Sequence, residues 1–218
     1  MVEDSMKGDF TTDEIKFIVD ELGEIFERRT FEDSTPYEVL VRTILSQRTR
    51  DENTDRATEA LFNVYPDMES VADAPVEEIA RLVKPAGFYN VKAGRIKEVS
   101  NILLDEYDGV VPDSIDELVK LPGVGRKTAN CVIVFGFQED AIPVDVHVHR
   151  ISNRLGLVNT KEPEDTEDVL REIVPRSYWL PINDLMVQFG QNICKPINPQ
   201  HMECPFTDMC KFYRECDE

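Results

Sequence analysis

The chain has 218 residues, with 43 Asp and Glu against 24 Lys and Arg, a formal charge of −19. Hydrophobic residues make up 41% and charged residues 31%, which is apolar material enough for a core, so a largely disordered chain is excluded. The length suits one or two compact domains. The most apolar run, residues 131–137, falls far short of the ~20 residues that a membrane-spanning helix needs. The opening segment, MVEDSMKGDF, is acidic and has no apolar stretch of the kind a secretory signal carries. The cytoplasm is therefore the expected compartment, and no membrane partner is expected. A uniformly acidic surface would repel a phosphate backbone, so the total charge speaks against nucleic acid unless the positive residues are gathered together. A composition poor in Lys and rich in short acids also stays hydrated in high salt.

From Thr12 onward, Ile15, Ile18, Val19, Leu22, Ile25 and Phe26 recur at spacings of three and four and predict a helix. Thr12 marks its start, with Asp13 and Glu14 in the first turn. Thr35-Pro36 opens a second helix whose buried face is Val39, Leu40, Ile44 and Leu45. Helices are expected over 53–62, over 75–83 and over 91–107, the last with Ile96, Val99, Ile102, Leu103 and Tyr107 on one side. Ser114 followed by Glu117 predicts a capping box on a short helix ending at Val119. A glycine turn then leads into a helix over 126–135. Helices over 146–155, 164–173 and 183–192 complete the series. Strand alternation is missing throughout, so the expected class is all-α.

The glycine turn lies within LPGVGRKTAN, residues 121–130. Pro122 fixes one φ angle, and Gly123 and Gly125 permit a reversal that side chains would obstruct. The first N–H groups of the following helix point outward without intrahelical partners and, with the helix dipole, form an anion site. Arg126 and Lys127 sit in that first turn, where the dipole disfavours a cation, so an anion is expected there. The alternative is a sharp helix–helix connection with two solvated bases.

LPGVGRKTAN resembles the helix–hairpin–helix of the endonuclease III family of DNA glycosylases. The resemblance extends to Val144-Asp145-Val146-His147, to Gly87-Phe88-Tyr89-Asn90-Val91-Lys92-Ala93, and to Leu45-Ser46 followed by Asp51. It implies two helical lobes: residues 30–140 with the hairpin at about 114–136, and residues 141–218 joined by the N-terminal helix of residues 1–29. Double-stranded DNA with damaged or abasic sites would lie between them, bound by a monomer in the cytoplasm at the nucleoid. The resemblance makes Lys127 the nucleophile that displaces an oxidised pyrimidine and forms a Schiff base, after which β-elimination nicks the strand. Like charge from Arg126 and the helix dipole would favour the neutral amine. Asp145 matches the catalytic carboxylate and precedes a helix that it could cap. His147 matches the family motif and His149 does not; neither is assigned to catalysis. Phe88 matches an apolar wedge that fills the gap left by a flipped nucleotide. The family's inserting Gln falls at Arg48, whereas Gln47 comes one residue early, ~100° away on a helix. Both are candidate DNA-binding residues, with Gly123, Gly125 and Arg126. The rivals are a monofunctional mismatch or adenine glycosylase of the same superfamily and a non-catalytic DNA-binding or redox protein.

Cys131 stands alone, while Cys194, Cys204, Cys210 and Cys216 crowd the end of the chain, a pattern that reads as a metal site. The family holds a 4Fe–4S cluster on C-x6-C-x2-C-x5-C, a loop that would here span 194–216. Six residues separate Cys194 from His201, two separate His201 from Cys204, and five separate Cys204 from Cys210. The family spacing is thus recovered with His201 as second ligand. Ligation through Cys216, zinc on three Cys and one His, or a site that has lost its metal are the alternatives. An imidazole in place of a thiolate would raise a cluster's potential.

Residues 39–50, 79–97, 118–138 and 146–161 contain no acid and carry 14 of the 24 positive charges. These stretches contain or border each segment of the resemblance. They predict one basic face on a strongly acidic body.

Overall fold

The computed structural model describes residues 4–28 and 34–216. Among these residues the secondary structure is helical, apart from one isolated antiparallel bridge between Lys7 and Val158. The chain divides into two compact units. A hairpin unit runs over Phe31–Glu139, and a terminal unit joins Met1–Thr30 to Asp140–Glu218.

The terminal unit opens with α1 (Thr12–Ile25). Its cap is Thr11. The Thr11 hydroxyl accepts from the Glu14 N–H at 3.3 Å, and the Glu14 carboxylate accepts from the Thr11 N–H at 2.8 Å. This reciprocal pair satisfies two N–H groups that the helix itself cannot. The helix starts at Thr12 with Asp13 and Glu14 in its first turn, as the sequence implies, and Thr11 ahead of it supplies the cap.

The hairpin unit begins with α2 (Pro36–Ser46), closed by the same device on Thr35 and Glu38. It continues with α3 (Asp51–Phe62), α4 (Met68–Asp73), α5 (Val76–Leu82), α6 (Tyr89–Glu106), α7 (Ile115–Leu118) and α8 (Arg126–Cys131). Helix α4 was not foreseen, since six residues are too short to display a period; Asp67 and Ser70 cap it, and Met68, Val71 and Ala72 are buried. The expected capping box at Ser114 is absent. Its partner Glu117 accepts instead from the Tyr107 hydroxyl at 3.0 Å and from Lys120 at 2.5 Å. Beyond Cys131 the backbone widens into a π-helical turn over Val132–Gly136. It ends where Gly136 passes so close to α2 that a Cβ would lie 2.9 Å from the Pro36 Cα.

The terminal unit resumes with α9 (Val146–Leu155), α10 (Pro163–Ile173), α11 (Trp179–Asn192) and α12 (Lys211–Cys216). Helix α11 starts four residues ahead of expectation, carried on from a 3-10 turn over Arg176–Tyr178. Its core gathers Ile18 and Leu22 of α1, Val148 and Ile151 of α9, Leu170 of α10, and Ile182, Met186 and Phe189 of α11. Phe206, from the loop before α12, is fully buried in the same cluster. It meets Phe189 edge-on at 5.5 Å and Phe17 at 6.4 Å between ring centroids. Offset and edge-on geometry suits the ring quadrupole. The loop that carries the candidate metal ligands is therefore nailed to the core by one aromatic ring. Phe206→Ala is expected to lower unfolding free energy by ~3–5 kcal/mol, as large-to-small core changes do, read by chemical denaturation of the purified variant.

Candidate functional site

The glycine turn is tight. The Val124 N–H bonds the Leu121 carbonyl at 3.1 Å, and Leu121 and Val124 are buried. The two glycines have different reasons. Gly123 has φ of +76°, and a Cβ there would lie 2.7 Å from Cδ of Arg95. Gly125 caps α8 with φ of −94°, which any residue adopts, and a Cβ there would meet nothing within 4 Å. The fold demands the first glycine and leaves open space at the second. Arg126 and Lys127 are the first two residues of α8 and half-buried, while Thr128, Ala129 and Asn130 are buried behind them.

The segment after α2 makes a sharp turn. Gln47 is the helix C-cap, and its side-chain amide donates to the Gly123 carbonyl at 2.9 Å. Arg48 has φ of +54° and is exposed. Phe88 has φ of +59°, caps α6, and is 65% exposed. A non-glycine residue in the left-handed region carries strain of about 1–3 kcal/mol, held only where surroundings enforce it. The two candidate insertion residues of the hairpin unit are therefore both strained and both presented to solvent.

The residue that enforces the first of these turns was missed. Lys92 is 3% exposed, and its ammonium donates to the Leu45 carbonyl at 2.7 Å, the Gln47 carbonyl at 2.8 Å and the Thr49 hydroxyl at 2.7 Å. Burial pushes its amine down to about 8. A signal did exist. Lys92, Ile96, Val99 and Leu103 share one face of α6 and are all buried, so a lysine sits on an apolar stripe.

In the terminal unit Asp145 caps α9. Its Oδ1 accepts from the N–H groups of His147 at 2.8 Å and Val148 at 2.9 Å, which fixes the carboxylate's orientation. His147 Nδ1 faces Arg150 at 3.1 Å, and His149 Nδ1 faces the Thr166 hydroxyl at 2.7 Å.

Cys194, His201, Cys204 and Cys210 border one small cavity of about 20 Å³, beside Arg154, Phe212 and Tyr213. Arg154 reaches Cys194 Sγ at 3.5 Å and the Lys195 carbonyl at 2.7 Å, and lies 4.4 Å over the Phe212 ring. Burial pushes the Cys204 and Cys210 thiols up. Among the described residues no group of three or more His, Cys, Asp or Glu is gathered as a site for one metal ion. Three thiols and an imidazole are donors that both an iron–sulfur cluster and zinc accept. The side chain of Cys216 lies outside the described residues.

The basic stretches do not form a face of 14 charges. Lys92 is buried, Arg42 pairs with Asp55, Lys120 with Glu117, and Lys97 donates to the carbonyls of Ala72 and Ala74 at 2.6 Å. In the terminal unit Arg150 and Arg154 donate to the carbonyls of Cys194 and Lys195. The acid-free pattern marks segments that need cations internally as well as those that present them. Arg48, Arg50, Arg81 and Lys84 stand exposed.

The two glycines supply a discriminating experiment. Gly123→Ala is expected to cost on the order of 1–2 kcal/mol of stability from strained backbone and the Arg95 clash. Gly125→Ala is expected to leave the denaturation midpoint nearly unchanged and to weaken binding of duplex DNA in a fluorescence-anisotropy titration.

Comparisons with known proteins bear on the same segments. Residues 41–176 match the family described as HhH-GPD superfamily base excision DNA repair protein. The chain is 52% identical to Endonuclease III of Thermotoga maritima over 200 residues, spanning 90% of this chain and 94% of that protein. It is 38% identical to Endonuclease III of Bacillus subtilis, spanning 91% and 92%. The solved structure of a trapped endonuclease III–DNA covalent intermediate superposes with a TM-score of 0.87 at 33% identity, over 96% of this chain and 100% of that one. Identity sustained over nearly the whole length, together with a shared helical fold, means that the chain belongs to the endonuclease III family of HhH-GPD base-excision DNA repair enzymes.

Proposed function

We propose that the chain removes oxidised pyrimidines from double-stranded DNA and cuts the resulting abasic strand by β-elimination through a Schiff base on Lys127. The observation that carries this reading is the place of Lys127, second residue of α8, immediately behind the glycine turn. A monofunctional mismatch or adenine glycosylase lacks a nucleophilic lysine there.

The Lys127 amine attacks the sugar C1′. The base leaves with the glycosidic electron pair and the proton that the amine sheds. The C1′–O4′ bond then opens as nitrogen forms the C=N bond, and O4′ takes a proton from water. Removal of a C2′ proton expels the 3′ phosphate and nicks the strand. The carboxylate of Asp145 suits two of these steps. Held by two N–H donors, it can stabilise positive charge on the sugar and accept the C2′ proton.

DNA contacts divide by geometry. Arg48 and Phe88, exposed and held in the left-handed region, are assigned to insertion into the duplex. A guanidinium can fill space and donate to an orphaned base, so Arg48 takes the part that the family gives to Gln. The Gln47 amide is engaged on the Gly123 carbonyl, which supports a strut between turn and hairpin rather than a base contact. Gly123, Gly125 and Arg126 are assigned to the phosphate backbone, where the space at Gly125 admits close approach.

A 4Fe–4S cluster held by Cys194, His201, Cys204 and Cys210 fits the donor set around the shared cavity. Such a cluster ties the loop together, and an imidazole ligand raises its potential. Damaged duplex DNA is the partner, met by a monomer in the cytoplasm.

Sodium borohydride with abasic duplex DNA is expected to give a covalent adduct with the wild type and none with Lys127→Ala. Asp145→Asn is expected to slow adduct formation by ~10²-fold or more, the scale of a positioned acid–base group. An adduct from Lys127→Ala would remove Lys127 from the nucleophile's role. For the cluster, iron content and visible absorption are expected to fall in His201→Ala and to persist in Cys216→Ala. The reverse pair of results would assign the fourth ligand to Cys216.

A further inference from the structure

Lys92 stands outside the reaction chemistry, yet it is placed with unusual economy. An ammonium has three donors. All three acceptors come from one short segment: the carbonyls of Leu45 and Gln47 and the hydroxyl of Thr49, at 2.7–2.8 Å. These acceptors bracket Arg48 on both sides. Lys92 stands in the first turn of α6, where its backbone N–H makes the helix's own bond to the carbonyl of the cap residue Phe88 at 3.1 Å, so the side chain that holds the Arg48 turn is rooted at the helix start that carries Phe88. Of the four exposed non-glycine residues that the hairpin unit holds left-handed, Arg48, Phe88, Asp108 and Gln138, this residue therefore lies beside the first two.

We propose that Lys92 is the positioning residue of the Arg48 and Phe88 pair, fixing the turn that carries Arg48 in register with the helix start that carries Phe88. The inference rests on the reading that these two side chains insert into the duplex. Its physical basis is the cost of the alternatives. A buried apolar side chain here would leave two carbonyls and a hydroxyl without the ammonium they face, at about 1–3 kcal/mol each. Burying a cation is itself expensive, as the lowered Lys92 amine shows. A glycine in place of Arg48 would relieve the left-handed strain of the turn, but it would carry no side chain to insert. The link extends further. Gln47, whose carbonyl Lys92 holds, donates its amide to Gly123 of the hairpin. Arg95, one turn along α6 from Lys92, packs against the same glycine. Helix α6 thus supports both the insertion turn and the turn that precedes Lys127.

The test compares wild type, Lys92→Met, Thr49→Val and Arg48→Ala on three DNA probes. Two are abasic DNA, single-stranded and duplex, read by borohydride trapping. The third is a duplex with a tetrahydrofuran abasic analogue opposite 2-aminopurine, whose fluorescence rises when the base is unstacked. Single-stranded DNA has no opposite strand, so it reports the nucleophile alone. Lys92→Met is expected to trap single-stranded abasic DNA within about twofold of wild type, to lose the 2-aminopurine signal, and to trap the duplex ~10-fold more slowly. Thr49→Val, which removes one acceptor and keeps the ammonium, is expected to move the same readouts less, and it carries the test if Lys92→Met does not fold. Equal losses on single-stranded and duplex DNA would mean that Lys92 merely supports the unit, and would overturn the proposal. Wild-type behaviour of Lys92→Met and Thr49→Val, with both duplex readouts lost in Arg48→Ala, would overturn it while sparing the insertion reading. Wild-type behaviour of Arg48→Ala would sink the insertion reading, and the role of Lys92 with it.

Discussion

An α-helix leaves its first N–H groups without partners of its own, and the three ends to which the proposed chemistry is assigned are finished in three different ways. At α9 the end is closed by a carboxylate, Asp145, held in place by two N–H donors. At α8 the cap is a glycine with no side chain at all, and the next two residues are Arg126 and Lys127. At α6 the cap is Phe88, which gives the helix no polar atom and is turned outward by its left-handed backbone. Reciprocal side-chain caps close α1 through Thr11 and Glu14, α2 through Thr35 and Glu38, and α4 through Asp67 and Ser70, and they stabilise those ends. The uncapped ends stay available to a ligand that brings its own acceptors, and a DNA backbone is such a ligand.

Leaving ends open and backbone strained has to be offset nearby. At Arg48 the offset is visible as a buried ammonium with three short hydrogen bonds to the surrounding turn. At the loop before α12 it is Phe206, seated in the aromatic and aliphatic core of the terminal unit while the thiols on either side of it face a cavity. In both places a side chain outside the proposed chemistry is driven into the interior and fixes the segment that carries its neighbours.

How far all this was legible in the sequence depends on the range of the interaction. Helix existence followed from period alone, because Ile15, Ile18, Val19 and Leu22 repeat their burial every turn. Boundaries slipped where a 3-10 turn ran straight on into a helix, as at Trp179. They slipped again where a local signal lost to a tertiary one, as when Glu117 left Ser114 for Tyr107 and Lys120. The hairpin could be read because glycine and proline act on their own backbone. Lys92 could not be read as a strut, since its acceptors lie more than forty residues away along the chain. The Gln47 and Arg48 departure shows both limits together. Spacing exposed the offset, but only the bond from Gln47 to Gly123, seventy-six residues distant, says what the displaced Gln does.

The charge reading changes meaning in the same way. Acid-free stretches were taken as a surface property, yet Lys92, Lys97, Arg150 and Arg154 use their cations to hold carbonyls within their own unit. An acid close to these cations would compete with the carbonyls, so acid exclusion protects internal geometry first. Each cation so used is one fewer for phosphate in a chain whose total is −19. Affinity built on phosphate contacts weakens as salt rises, in proportion to the number of contacts. Affinity built on an aromatic wedge and a guanidinium seated among bases depends on stacking and hydrogen bonding, which salt screens far less. On the proposed insertion of Arg48 and Phe88, a strongly acidic body that spends several cations on its own carbonyls shifts the weight of recognition from the backbone to the lesion, and the rigidity of the turn carrying Arg48 then counts for more than the sum of the charges around it.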